Sequence, residues 1–168
     1  MNAALLPILI PLTAIMLLFF FRSNIFSHAI SILGSTLLLF TSLFLLWKVN
    51  NDGIISLYMG AWEAPYGITL VVDIFSALML IITAFILLAI SVYKTRFIPI
   101  RASGNRFTIF FFSLAMGVNG AFITGDIFNL YVWFELMLIS SFVLITYSKR
   151  QSQLHAGIKY LGMNFLGS

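Results

Sequence analysis

The sequence predicts an all-α polytopic transmembrane helical bundle with five complete spans plus a partial sixth. Three observations carry this. The chain of 168 residues is 61% hydrophobic and 8% charged, with 18 Phe against five acidic residues, too little polar material to coat a water-facing surface. Its apolar residues fall in runs of membrane length. Its nine Lys and Arg sit mainly between those runs, where they set topology instead of recognising nucleic acid, despite a net charge of +4. With no Cys, disulfides, thiolate metal ligands and thiol catalysis are excluded.

Residues 1–21 are uncharged and about 19 consecutive apolar or small residues begin at Ala3, enough to span; no basic start or cleavage signature marks a signal peptide. Pro7 and Pro11 kink this helix or delay its start, so neighbouring helices have to satisfy the freed carbonyls. Arg22, Ser23 and Asn24 form a turn into the second span, Ile25 to Trp47, with His28 near its start as an interfacial or packed histidine, an ion-relay role being its alternative. Residues 48–67 form a polar loop outside the bilayer, with Asn51-Asp52-Gly53 and Ala64-Pro65-Tyr66-Gly67 turn signals around a short extended piece and Trp47, Trp62 and Tyr66 at headgroup level. Ile68 to Tyr93 is the third span. Asp73 lies in its opening turns, where the helix dipole favours an acid and a structural role is expected.

Residues 94–106 form a basic loop holding Lys94, Arg96, Arg101 and Arg106. Phe107 to Thr124 is the fourth span, in which Gly117 and Gly120, flanking Asn119, suit close helix packing. Gly125 and Asp126 turn the chain into the fifth span, Ile127 to Tyr147, which Lys149 and Arg150 end. A sixth helix begins at Leu154 and reaches Ser168, too short to cross, so the sequence reads as a fragment or a truncated reading frame. Arg22, the 94–106 loop and the Lys149-Arg150 pair fall on one side, opposite Lys48. That side is the cytoplasmic one, with the N-terminus outside a plasma (inner) membrane.

No metal constellation, Ser/His/Asp set, phosphate-binding Gly loop or dinucleotide fingerprint is present, so neither a cofactor nor a metal is expected and substrate chemistry is disfavoured. What remains is a sparse set of embedded ionisable groups. Counting about 1.5 Å per residue from Ile127 puts Glu135 roughly 12 Å deep in a hydrocarbon layer about 30 Å thick. An ionised carboxylate there costs roughly 2.5 kcal/mol or more, so it is protonated, paired with a cation or facing water, each a state suited to ion movement. The competing reading is an ion pair that locks two helices. His155 and Lys159 follow at helical spacing; Lys159 is the second candidate, with snorkelling to the nearby interface as its alternative.

The run Thr124-Gly125-Asp126-Ile127-Phe128-Asn129-Leu130-Tyr131-Val132-Trp133-Phe134-Glu135, continued by Leu136 to Phe142, resembles the fifth helix of the D subunit of Mrp-type multisubunit sodium/proton antiporters. So does Gly60-Ala61-Trp62-Glu63-Ala64-Pro65-Tyr66-Gly67. The related membrane subunits of respiratory complex I and membrane-bound hydrogenases share the helix and its glutamate. The resemblance implies a subunit of two inverted five-helix repeats preceded by three helices. Residues 1–106 would be that preamble and 107–168 the start of the first repeat, truncated in its third helix. It also implies other antiporter subunits as partners, with protons and sodium as cargo. In the family the glutamate matching Glu135 pairs with a lysine two helices later, beyond Ser168. A proton-pumping subunit of a complex I-like oxidoreductase and a non-transporting assembly subunit remain the alternatives.

The charge distribution sets a topology test. A cysteine placed at Asn51 is expected to react with an impermeant thiol reagent on intact cells, and one at Ser103 only after permeabilisation. The reverse pattern would invert the orientation.

Overall fold

A computed structural model describes residues 3–21, 24–62, 67–97, 105–148 and 150–167. After a short 3-10 turn at Ala3–Leu5, the elements are α1 (Leu6–Phe20), α2 (Asn24–Asp52), β1 (Ile55–Tyr58), β2 (Thr69–Val72), α3 (Ile74–Phe97), α4 (Asn105–Ile123), α5 (Ile127–Ile145) and α6 (Gln151–Gly167). Five helical segments are long and apolar enough to cross a membrane, and α6, with 17 residues, is the expected partial sixth. The chain is thus a multi-pass membrane protein. Arg22, Tyr66, Arg101 and Lys149 lie outside the described residues.

In α1, Pro7 stands in the first turn and Pro11 inside the helix. Pro11 has no N–H for the Pro7 carbonyl, and Asn119 Nδ2 of α4 donates to that carbonyl at 3.0 Å. The freed carbonyl is therefore satisfied by a neighbouring helix, as its place in hydrocarbon demands. Gly117 and Gly120, flanking Asn119, are where α5 closes on α4. A Cβ on Gly117 would stand 2.7 Å from Met137 Cγ, and one on Gly120 would overlap the Trp133 ring. α4 also packs on α1 and α3, and α2 on α1 and α3. One apolar cluster includes Leu45, Leu70, Leu80 and Ile123; a second, around Phe112, includes Ala14, Leu38, Ala84 and Leu87.

Several element boundaries differ from the sequence reading, α5 ending at Ile145 and not Tyr147 and α6 beginning at Gln151 and not Leu154 among them. The second span does not stop at Trp47: α2 runs 29 residues to Asp52, because Val49 is still buried in the core, and it ends where Gly53 takes φ 81° and donates its N–H to the Val49 carbonyl. The third span does not open at Ile68. Thr69–Val72 is a strand pairing antiparallel with β1, Ile55 opposite Val72 and Tyr58 opposite Thr69. A β-branched run with a partner within reach takes the extended form, so the bundle carries a small hairpin at this end. The basic loop is also shorter than 94–106, since α3 continues through Lys94 and Arg96 to Phe97 and α4 starts at Asn105.

Asp73 is the hinge between hairpin and helix. Its Oδ1 accepts from the Ser76 N–H at 2.7 Å, while the Asp73 N–H donates to Ser76 Oγ at 2.8 Å, a reciprocal cap on the first turn of α3. Donation from the Ser76 backbone N–H, and next from the Ser76 hydroxyl, holds the Asp73 carboxyl below its ordinary value. The stability contributed is complete above the ordinary aspartate range near pH ~3.9 and lost as pH falls through the depressed folded value. Asp73→Ala is expected to cost about 1 kcal/mol at neutral pH. Thermal unfolding at pH 7 and pH 3 should show this difference shrinking in acid.

Candidate functional site

α5 is placed by the junction that precedes it. The Gly125 N–H donates to the Thr69 carbonyl at 2.8 Å and Thr124 bridges Leu70, which ties the α4–α5 turn to β2. A side chain at Gly125 would stand 2.8 Å from Val71 Cγ2, so the approach requires glycine. Asp126 caps α5 by accepting from the Asn129 N–H at 3.1 Å, and Asn129 Nδ2 donates to Thr124 Oγ1 at 2.8 Å. The Thr-Gly-Asp-x-x-Asn pattern is therefore a built joint that sets the start and rotation of the helix carrying Glu135.

Glu135 is half-buried and faces a cavity of about 590 Å³ between α5 and α6. Tyr131, one turn earlier, lies against its carboxylate, and Met137, Leu138, Tyr160 and Asn164 complete much of the wall. No cation is among the residues lining this cavity. α5 is the least enclosed of the five spans, with 11% of its apolar window buried, against 33% to 44% for the others. The carboxylate thus sits on a lightly covered helix, in a cleft whose polar residues include Tyr131, Tyr160 and Asn164.

Lys159 is exposed on α6 and is not part of that lining, although it adjoins Tyr160, which is. His155 is likewise exposed. α6 meets α5 through a hydrogen bond between Ser141 Oγ and Tyr160 Oη at 2.8 Å and through Gly157, where a Cβ would stand 3.2 Å from the Phe142 ring and closer still to Thr146. Among the described residues no cluster of three or more His, Cys, Asp or Glu is arranged to hold a metal.

The sequence reading missed Lys94. It assigned this residue to the basic loop, but Lys94 is 2% exposed, inside the bundle at the end where α3 finishes and α2 and α4 begin. Its Nζ donates to Thr108 Oγ1, to Ser27 Oγ at 3.4 Å and to Ser31 Oγ at 3.5 Å, and stands 5.8 Å from the Phe107 ring centroid. Ser27, Ser31 and Ser35, four residues apart along α2, were the available signal: a hydroxyl stripe on one helix face needs a polar partner when that face is buried.

With this geometry established, three comparisons bear on the chain. A family model described as "NADH:quinone oxidoreductase/Mrp antiporter, TM" matches residues 124–168, from the α5 joint onward. The sequence is 40% identical over 176 residues to the D subunit of the Na(+)/H(+) antiporter of Bacillus subtilis (strain 168), covering 99% of this chain and 34% of that protein. Its relatives are antiporter subunits. The corresponding D subunit of Alkalihalophilus pseudofirmus is 37% identical over 168 residues, with the same coverage. The chain thus spans about a third of the length of the curated relatives it matches. The resemblance carried by residues 124–142 runs through the whole chain, and the D subunit is the member it resembles. Solved structures that share the fold include a chain of the Mrp complex from Dietzia sp. DQ12-45-1b (TM-score 0.84, 25% identity, 98% of this chain and 32% of that one) and a chain of the membrane-bound sulfane sulfur reductase, an archaeal respiratory membrane complex (0.86, 28%, 98% and 34%).

The Ser141–Tyr160 bond predicts a measurable link between α5 and α6. A double-mutant cycle on Ser141→Ala and Tyr160→Phe, read by unfolding in detergent, is expected to give a coupling of about 0.6 kcal/mol, the mean for such bonds inside membranes. Strict additivity would mean that the hydroxyls contribute independently.

Proposed function

We propose that the chain is part of a membrane subunit of a multisubunit monovalent cation/proton antiporter, and that Glu135 takes up and releases the transported proton. The observation that carries this is the half-buried carboxylate opening on a cleft of a lightly covered span, on a helix whose joint lies within the matched family segment. An ion carrier needs both a titratable group and a face left for the rest of the path, and α5 offers both. The partners are the other subunits of such a complex and the lipid bilayer; the cargo is the proton, exchanged for sodium. Lys159 is exposed on α6 and does not line the Glu135 cleft. The chain acts as a transporter subunit, not as an enzyme.

The orientation follows from charge. Among the described residues Lys94, Arg96, Arg106 and Arg150 gather at one end of the bundle and Lys48 near the hairpin at the other, which supports a cytoplasmic basic end, an external N-terminus and a plasma-membrane location. A second reading, a proton-pumping subunit of a respiratory oxidoreductase, is favoured by the likeness to the archaeal respiratory complex and by the wording of the family model. Co-purifying subunits separate the two, since a respiratory assembly brings redox centres.

The test is made on the assembled complex in vesicles, with sodium-driven proton flux and the amount of complex both measured. Glu135→Ala is expected to abolish exchange with little loss of assembly, and Glu135→Asp to retain part of it. Glu135→Gln keeps shape and hydrogen bonding but cannot titrate, so it is expected to be inactive. Near-normal exchange by Glu135→Gln would reject the proton-carrier role in favour of helix locking.

A further inference from the structure

Lys94 is a fully enclosed amine whose surroundings contain no carboxylate among the described residues. Its polar neighbours are hydroxyls from two other helices: Ser27 and Ser31 of α2 and Thr108 of α4. Ser27 and Thr108 are also hydrogen-bonded to each other at 2.8 Å, and Ser31 Oγ donates to the Ser27 carbonyl at 2.8 Å. His28 of α2 lies within electrostatic reach of Lys94, and its buried Nε2 has no hydrogen-bond partner among the described residues. Among the described residues the remaining titratable groups at this end are Arg106 beside Phe107 on α4, Tyr147 following α5 and edge-on to Phe107, Tyr93 and Arg96 on α3 itself, and Arg150 and His155 before and in the first turns of α6. Asp52, Asp73 and Asp126 lie at the opposite ends of these helices.

We propose that Lys94, within its cage of Ser27, Ser31 and Thr108, is a second proton-exchanging site at the basic end of the bundle, separate from Glu135. The chemistry of the cage carries this. An ammonium has three N–H donors and no acceptor, and three hydroxyl oxygens meet it. When it gives one proton to water, the amine left behind has two N–H groups and a lone pair. A carboxylate could only accept and would hold the charged form; a hydroxyl both donates and accepts, so rotation of the Ser27 or Thr108 O–H supplies the new donor without moving a helix. Both protonation states are therefore satisfied in one backbone arrangement. The His28 imidazole, next in sequence to Ser27, lies within electrostatic reach of the lysine and senses the change of charge.

This goes beyond the role given to Glu135 and is tested apart from it. In the intact complex, competitive acetylation of lysines with acetic anhydride, resolved residue by residue by mass spectrometry, reads the free amine at each pH. Lys94 is expected to gain reactivity with rising pH along a titration curve of its own, and Thr108→Val or Ser27→Ala to displace that curve. A Lys94 that stays unreactive throughout, or a curve that neither cage variant displaces, overturns the proposal. Exchange measured across pH supplies the second arm: Lys94→Arg keeps a permanent cation and Lys94→Gln a neutral polar group, and both are expected to change the shape of the pH profile. A profile unchanged in Lys94→Arg means that a fixed cation suffices and also overturns it. Should the wild-type complex show no exchange at all, the antiporter reading fails and the acetylation curve alone decides on Lys94.

Discussion

The main-chain bond from Gly125 to Thr69 is the contact on which the rest of the arrangement depends. It joins a turn between two spans to the edge of a two-stranded hairpin, so the start of α5 is fixed by backbone and not by side chains that can change rotamer. A neutral hydrogen bond contributes only about 1 kcal/mol by itself. Its weight here is geometric: with the Asp126 cap and the Asn129–Thr124 bond it fixes the rotation of α5, and rotation decides whether Glu135 meets the cleft or the packed face of α4. The glycines of α4 set the other limit by letting Trp133 and Met137 of α5 come close.

Hydrocarbon imposes the second constraint, that polar groups inside be satisfied by the protein itself. Pro11 frees a carbonyl and Asn119 meets it; the α2 serines turn their hydroxyls to carbonyls one turn back. Lys94 is the case in which that economy is widest open. A cation enclosed by hydroxyls is solvated but not neutralised, unlike one facing a carboxylate, and such an arrangement suits a group whose charge changes. Glu135 presents the complementary situation, an acid on a face where no cation of the described residues lines the cleft.

Of the candidate site, Glu135 was legible because an acid within an apolar run is visible without knowing any contact, and the turn before it because Gly-Asp marks one; the Asp126 cap and the tie to β2 were not. Lys94 was not. A lysine directly after an apolar run reads as the start of a loop, and only the continuation of α3 to Phe97, packed against α2 and α4, turns it inward. The facing of Lys159 away from the cleft was equally hidden, since spacing gives a helix face but not its direction.

The sequence by itself determined the number of spans, the end of the bundle where cations collect and the single deep carboxylate, because hydropathy and charge act residue by residue on transfer between water and lipid. Only the tertiary structure decided the hairpin, the overrun of α2, the pairing of Asn119 with the Pro7 carbonyl and the hydroxyl cage of Lys94. Each of these joins residues far apart in the chain, and whether a residue is a strand, a cap or a buried cation depends on a partner that local pattern cannot supply.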